Sequence, residues 1–156
     1  MPTPIEDTIL RVTGALLVEL RDESGQIKES FEVPNIVTTV GKTFIAAAMA
    51  KTTTNTPAAM THMAVGTSST TPAAGDTTLG AEVAGSRTAL TSTTPSSNTI
   101  QYVCTFGAGV GTGTLWEAGV FNASSAGTLL CRTVFGASIT KGASDSLTIT
   151  WTVTIN

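Results

Sequence analysis

Residues 146–155 read Ser-Leu-Thr-Ile-Thr-Trp-Thr-Val-Thr-Ile. Leu147, Ile149, Trp151, Val153 and Ile155 alternate with Ser146, Thr148, Thr150, Thr152 and Thr154. A pleated strand sends successive side chains to opposite faces, so strict alternation marks a strand with two chemically different sides. The apolar side must be covered by another layer. The threonine side is free to meet solvent or a partner.

The same pattern recurs upstream. Leu10, Val12, Leu16, Val18 and Leu20 alternate with Arg11, Thr13, Ala15, Leu17 and Glu19. Asp22-Glu23-Ser24-Gly25 supplies turn chemistry, and Ile27, Phe31 and Val33 continue on a returning strand that Pro34-Asn35 ends. Short strands are also expected at 63–65, 87–91, 100–106, 115–121 and 128–135, divided by loops of small residues. One helix is expected near residues 38–51. There Val40, Phe44, Ala47 and Ala48 recur at helical spacing, and Ala46-Ala47-Ala48-Met49-Ala50 favours helix. Leu79 to Val83 is read as one further helical turn, capped by Asp76 or Thr77. No alternation of strands and helices appears. The expected fold is therefore mainly β: an antiparallel β-sandwich or jelly-roll-like domain spanning residues 9–156, preceded by an N-terminal arm at 1–8.

Composition narrows the function. Only 12% of the 156 residues are charged, about half the usual share. From Thr52 onward the charges are Asp76, Glu82, Arg87, Glu117, Arg132, Lys141 and Asp145, with His62 the only histidine. Most enzyme chemistry draws on clustered carboxylates, histidines, lysines or activated cysteines, so the expectation is a protein that is not an enzyme, with no catalytic residue. A glycan depolymerase would need Asp76, Glu82, Glu117 and Asp145 to converge on a groove. Metal binding would need ligands that the spacing does not gather, so no metal and no cofactor is expected. The net charge of -3 and scattered basic residues argue against a nucleic-acid partner. An acidic, proline-containing start and a longest apolar run of Phe44 to Ala50 argue against export by a signal peptide and against a membrane span.

Several motifs tempt. Val40-Gly41-Lys42-Thr43 has the tail of a phosphate-binding loop, but Ile36 stands where that loop needs its first glycine. The glycines at 107, 109, 111 and 113 fall every second residue and read as a connection between strands. Asn122-Ala123-Ser124 fits a glycosylation sequon and reads as a tight turn. Cys104 and Cys131 are expected as buried free thiols, Trp116 and Trp151 as core residues. Arg132, alone in an uncharged strand, either points to solvent or pairs with Glu117 on a neighbouring strand.

Three blocks carry a resemblance. Met60 to Glu82 is the first; Leu115 to Ala123 followed by Gly127 to Phe135 is the second; Asp145 to Val153 is the third. Together they resemble structural proteins of tailed bacteriophages. The resemblance implies a virion protein assembled in the host cytoplasm, with no catalytic residues to carry over. Without heptads or repeats to build a shaft, the compact domain suits a capsid decoration, or cement, protein. The resemblance then implies a β-rich knob, a homotrimer on the capsid surface whose partner is the major capsid protein. A tail, baseplate or fibre component contacting the host is the second expectation. No particular partner-binding residue is singled out.

Overall fold

The computed structural model describes residues 11–50 and 56–156. The arm at 1–8, Leu10 and Lys51 therefore lie outside the described residues. The described residues form a sandwich of two antiparallel five-stranded sheets with one short helix. The strands are β1 (Val12–Arg21), β2 (Ile27–Pro34), β3 (Ile36–Val37), β4 (His62–Gly66), β5 (Thr88–Ala89), β6 (Ser92–Ser96), β7 (Thr99–Phe106), β8 (Gly113–Phe121), β9 (Leu129–Lys141) and β10 (Ser146–Ile155). Helix α1 spans Thr39–Ala50. Sheet A has the order β2-β1-β10-β7-β6, and sheet B the order β3-β9-β8-β4-β5.

β10 sits at the centre of sheet A, paired on one side with β1 and on the other with β7. Its apolar row turns inward as the alternation requires: Leu147, Ile149 and Trp151 are completely buried. Leu16, Val18 and Leu20 of β1 and Tyr102, Cys104 and Phe106 of β7 extend the same inner layer. Sheet B answers with Met63, Val65, Leu115, Val120, Cys131 and Phe135. Phe31 meets Phe135 edge-on, with ring centroids 5.8 Å apart. Ile155, at the end of the row, stays 38% exposed, and Ile27 of the returning strand is 51% exposed. Ile27 lies at the hairpin end, beyond a register shift at Leu20/Arg21, where no layer reaches it.

The first hairpin closes as its residues dictate. Asp22 Oδ1 accepts the Ser24 and Gln26 amides and the Ser24 hydroxyl, while Gly25 adopts the left-handed region at φ 86°. The helix begins one residue after its expected start because Thr38 is its cap: Thr38 Oγ1 accepts the Gly41 amide at 3.0 Å and donates to the Leu129 carbonyl at 2.6 Å.

Two expectations need correction. Leu79 to Val83 is not a helical turn; the chain bends at Gly80 and Ala81, and Glu82 bridges to Gly66. The Gly80 and Ala81 amides, which a helix would leave to its own carbonyls, go instead to the buried Glu117 carboxylate. The strand expected at 87–91 is broken. Thr88–Ala89 belongs to sheet B, then the chain crosses to sheet A and continues as β6.

Candidate functional site

The outer face of sheet A is rich in hydroxyl side chains. Thr148, Thr150, Thr152 and Thr154 of β10 stand half-buried along its centre. Register places them beside Thr105, Val103, Gln101 and Thr99 of β7. Beyond β7, Ser92, Thr94 and Ser96 of β6 continue the face, and every residue of that strand is exposed. The Thr105 and Thr148 hydroxyls share a hydrogen bond of 3.0 Å across the strands. No charge stands on this half of the face. Charge begins on β1, where Glu19 stands opposite Thr148 and pairs with Arg21 at 3.2 Å, and continues with Glu32 on β2. β6 also ends the sheet, so its outer backbone groups face away from any strand.

The outer face of sheet B is covered by the loop from Thr67 to Arg87. Leu79 of that loop packs with Ala64, Phe121 and Leu129. A buried ion cluster latches it. Glu117, fully buried, receives the Gly80 and Ala81 amides at 2.9 and 2.7 Å and both Nε and Nη2 of Arg132. Arg132, 2% exposed, also donates to Asp76 Oδ2 at 2.8 Å and to the Thr70 carbonyl at 3.0 Å. Burial works to raise the Asp76 pKa, but the Ala73 amide and Arg132 outweigh it and hold the carboxyl below its usual range. At the end of the loop Arg87 grips Glu82 through two bonds, donates to the Ala123 and Ala126 carbonyls, and lies 3.6 Å from the centre of the Phe121 ring.

A second polar knot closes the β9–β10 turn. Lys141 is 1% exposed and donates to the Gly107 and Asp145 carbonyls at 2.8 and 2.7 Å. Burial lowers its pKa against the opposing pull of Asp145. Asp145 accepts Lys28 at 2.8 Å and the Gly142 amide at 2.7 Å, which hold its pKa low.

These contacts place the residues singled out in the sequence. Arg132 pairs with Glu117, the sharper of its two readings. Asp76 and Glu117 meet around Arg132, whereas Glu82 is paired with Arg87 and Asp145 with Lys28. Each carboxylate is already engaged by a guanidinium, an ammonium or backbone amides. His62 is half-buried on β4, its Nδ1 2.8 Å from the Thr61 hydroxyl. Cys104 and Cys131 are buried free thiols; burial raises both pKa values, that of Cys104 to about 12. Trp151 is core, while Trp116 is half-buried. Gly41 is where α1 meets β9: a Cβ there would collide with the Leu130 carbonyl, which accounts for the glycine without any phosphate. The glycine run connects β7 to β8, with Gly109, Gly111 and Gly113 at positive φ. Asn122 Oδ1 accepts the Thr128 amide at 2.6 Å, making it the pin of the β8–β9 turn.

Sequence reasoning missed the burial of Lys141 and the third member of the Arg132 cluster. Lys141 had a signal, a lone cation in an uncharged stretch beside Asp145. Among the described residues no three His, Cys, Asp or Glu side chains gather as a metal site, and no helix is long and apolar enough to cross a membrane. Comparison with known proteins finds no family model, no curated protein and no solved structure that matches the chain.

Proposed function

We propose that the protein is a structural component of a tailed-bacteriophage virion, a capsid decoration (cement) protein that binds the lattice of the major capsid protein as a trimer. The observation that carries this reading is the uncharged half of the outer face of sheet A. Its rows of threonine and serine hydroxyls end at an edge strand without charge. Hydroxyls on a rigid sheet donate and accept hydrogen bonds without first shedding the tightly held water of a charge. A free strand edge offers backbone groups to an extended partner segment. Each such contact is modest, and a repetitive lattice multiplies it. An uncharged contact also changes little with salt.

The test is binding of the purified protein to capsids that lack it, compared with Thr150→Arg and Thr152→Arg variants. Both side chains are on the outer face, so the variants are expected to keep the wild-type circular dichroism spectrum. The reading expects wild-type protein to co-sediment with capsids and the arginine variants to lose most of that binding. Failure of the wild-type protein to bind capsids, together with binding to host cells, would transfer the assignment to a tail, baseplate or fibre component.

A further inference from the structure

The loop from Ser68 to Gly80 bounds a pocket of about 380 Å³ over the outer face of sheet B. The Thr67 amide closes the neck of the loop by donating to the Ala81 carbonyl at 2.9 Å. Arg132 ties the middle of the loop to the sheet through Thr70 and Asp76, and the Ala73 amide holds Asp76 from within the loop. Glu117 fastens Gly80, its last residue, at 2.9 Å. The walls are therefore fixed before any ligand arrives, which lowers the entropy lost on binding. The volume falls among those of small-molecule sites, about 300–1,000 Å³.

Four hydroxyl residues, Ser68, Thr70, Thr77 and Thr78, line the pocket together with two charged residues, Asp76 and Arg132. Both charged side chains have hydrogen-bonding capacity to spare. Arg132 is 2% exposed, and its Nη1 carries two hydrogens, of which the 2.8 Å bond to Asp76 Oδ2 uses one. Asp76 Oδ2 accepts both that bond and the Ala73 amide, which leaves Oδ1 without a partner among the described residues. The hydroxyls of Thr70, Thr77 and Thr78 are likewise unpaired among the described residues. Gly80 keeps the floor open. A Cβ there would stand 2.5 Å from Ser68 Oγ and 3.0 Å from Arg132 Nη2, filling the space between them.

These partners select the ligand. The two charges that line the pocket are opposite and adjacent, so a cation would stand beside the guanidinium and an anion beside the carboxylate. Glu117 is not part of the lining, and its charge is taken up by Arg132 and backbone amides. A neutral group that both donates and accepts meets neither repulsion. A hydroxyl does both with one oxygen, and neighbouring hydroxyls on one ring can reach the threonines as well.

We propose that this pocket binds the hydroxyls of a neutral pyranose sugar. Asp76 Oδ1 accepts from one hydroxyl, Arg132 Nη1 donates to its neighbour, and the threonine hydroxyls complete the contact. The site lies over sheet B, whereas the capsid reading uses sheet A, so the two stand or fall separately.

Amide chemical shifts of the nitrogen-15-labelled full chain test it. The probes are the methyl pyranosides of glucose, galactose, mannose and N-acetylglucosamine, with acetamide, n-butylammonium chloride and sodium phosphate as separate arms. At least one pyranoside is expected to shift the amides of residues 68–80 saturably, with a dissociation constant on the order of 1 mM. Gly80→Ala, which fills the floor, is expected to abolish the shifts. Thr77→Val/Thr78→Val, which keeps side-chain shape at two exposed positions, is expected to weaken binding about tenfold, and it decides alone should the alanine variant not fold. No saturable response to any pyranoside overturns the proposal, as does a response that neither variant reduces. A stronger response to acetamide would give the pocket to a carboxamide side chain of a protein partner, and one to butylammonium or phosphate would give it to an ion. Either result overturns the sugar.

Discussion

The guanidinium of Arg132 is held on three sides: by the carboxylate of Glu117, by that of Asp76 and by the Thr70 carbonyl. Replacing a buried ion pair as a whole can be neutral, but removing one member strands the other in a low dielectric. Arg132→Met is therefore expected to lower stability by about 3–5 kcal/mol, read from the urea midpoint, and to open the 67–87 loop to proteases first. A loss under about 1 kcal/mol, within the range of exposed pairs, would show that the cluster is not a latch. Asp76 and Asp145 set the response to acid. Both have folded-state pKa values below the unfolded value of 3.8, so each binds its proton more readily when unfolded. Their contribution is complete above that value and is lost as pH falls through the lower, folded-state values. Thermal midpoints should stay level from about pH 7 to 5 and fall below about pH 4, less steeply in Asp145→Asn. A profile already falling between pH 7 and 5 would contradict this. The Glu117–Arg132 pair was legible in the sequence because each is a lone charge in an apolar strand, and such a charge needs a partner if buried. Asp76 was not legible, because it reaches Arg132 from a loop with no periodicity to place it.

Elements with an alternating row were legible almost to the residue, β10 and β1 above all, because burial on one face leaves period two in the sequence. β6 left no such trace. Ser92-Thr93-Thr94-Pro95-Ser96 is exposed on both faces, so nothing selects its side chains, and Pro95 is tolerated because the strand is an edge. The segment at 79–83 was misread for the opposite reason. Its local preference for a helical turn yields to a carboxylate that takes two of its amides. The helix was legible from its alanines, but its most constrained residue was not. Gly41 lies against the Leu130 carbonyl, a contact that exists only once β9 is in place. Gly41→Ala should raise intrinsic helix propensity yet lower stability by about 1–3 kcal/mol through overpacking. A more stable alanine variant in chemical denaturation would show that α1 does not approach β9 so closely.

As a whole molecule the protein puts its apolar rows inside two sheets and keeps its buried charges for fastening loops. One broad sheet face is left to hydroxyls. The sandwich and its single helix followed from periodicity, whereas the role proposed for that face rests on its chemistry and on three blocks that resemble phage structural proteins. Multiplicity is what gives weak, uncharged contacts a stabilising effect. The central claim is therefore a claim about number. Quantitative mass spectrometry of purified virions, scaled to the major capsid protein, measures it directly. A decoration protein is predicted at on the order of hundreds of copies per particle. A handful of copies per particle would contradict the account and place the protein in the tail.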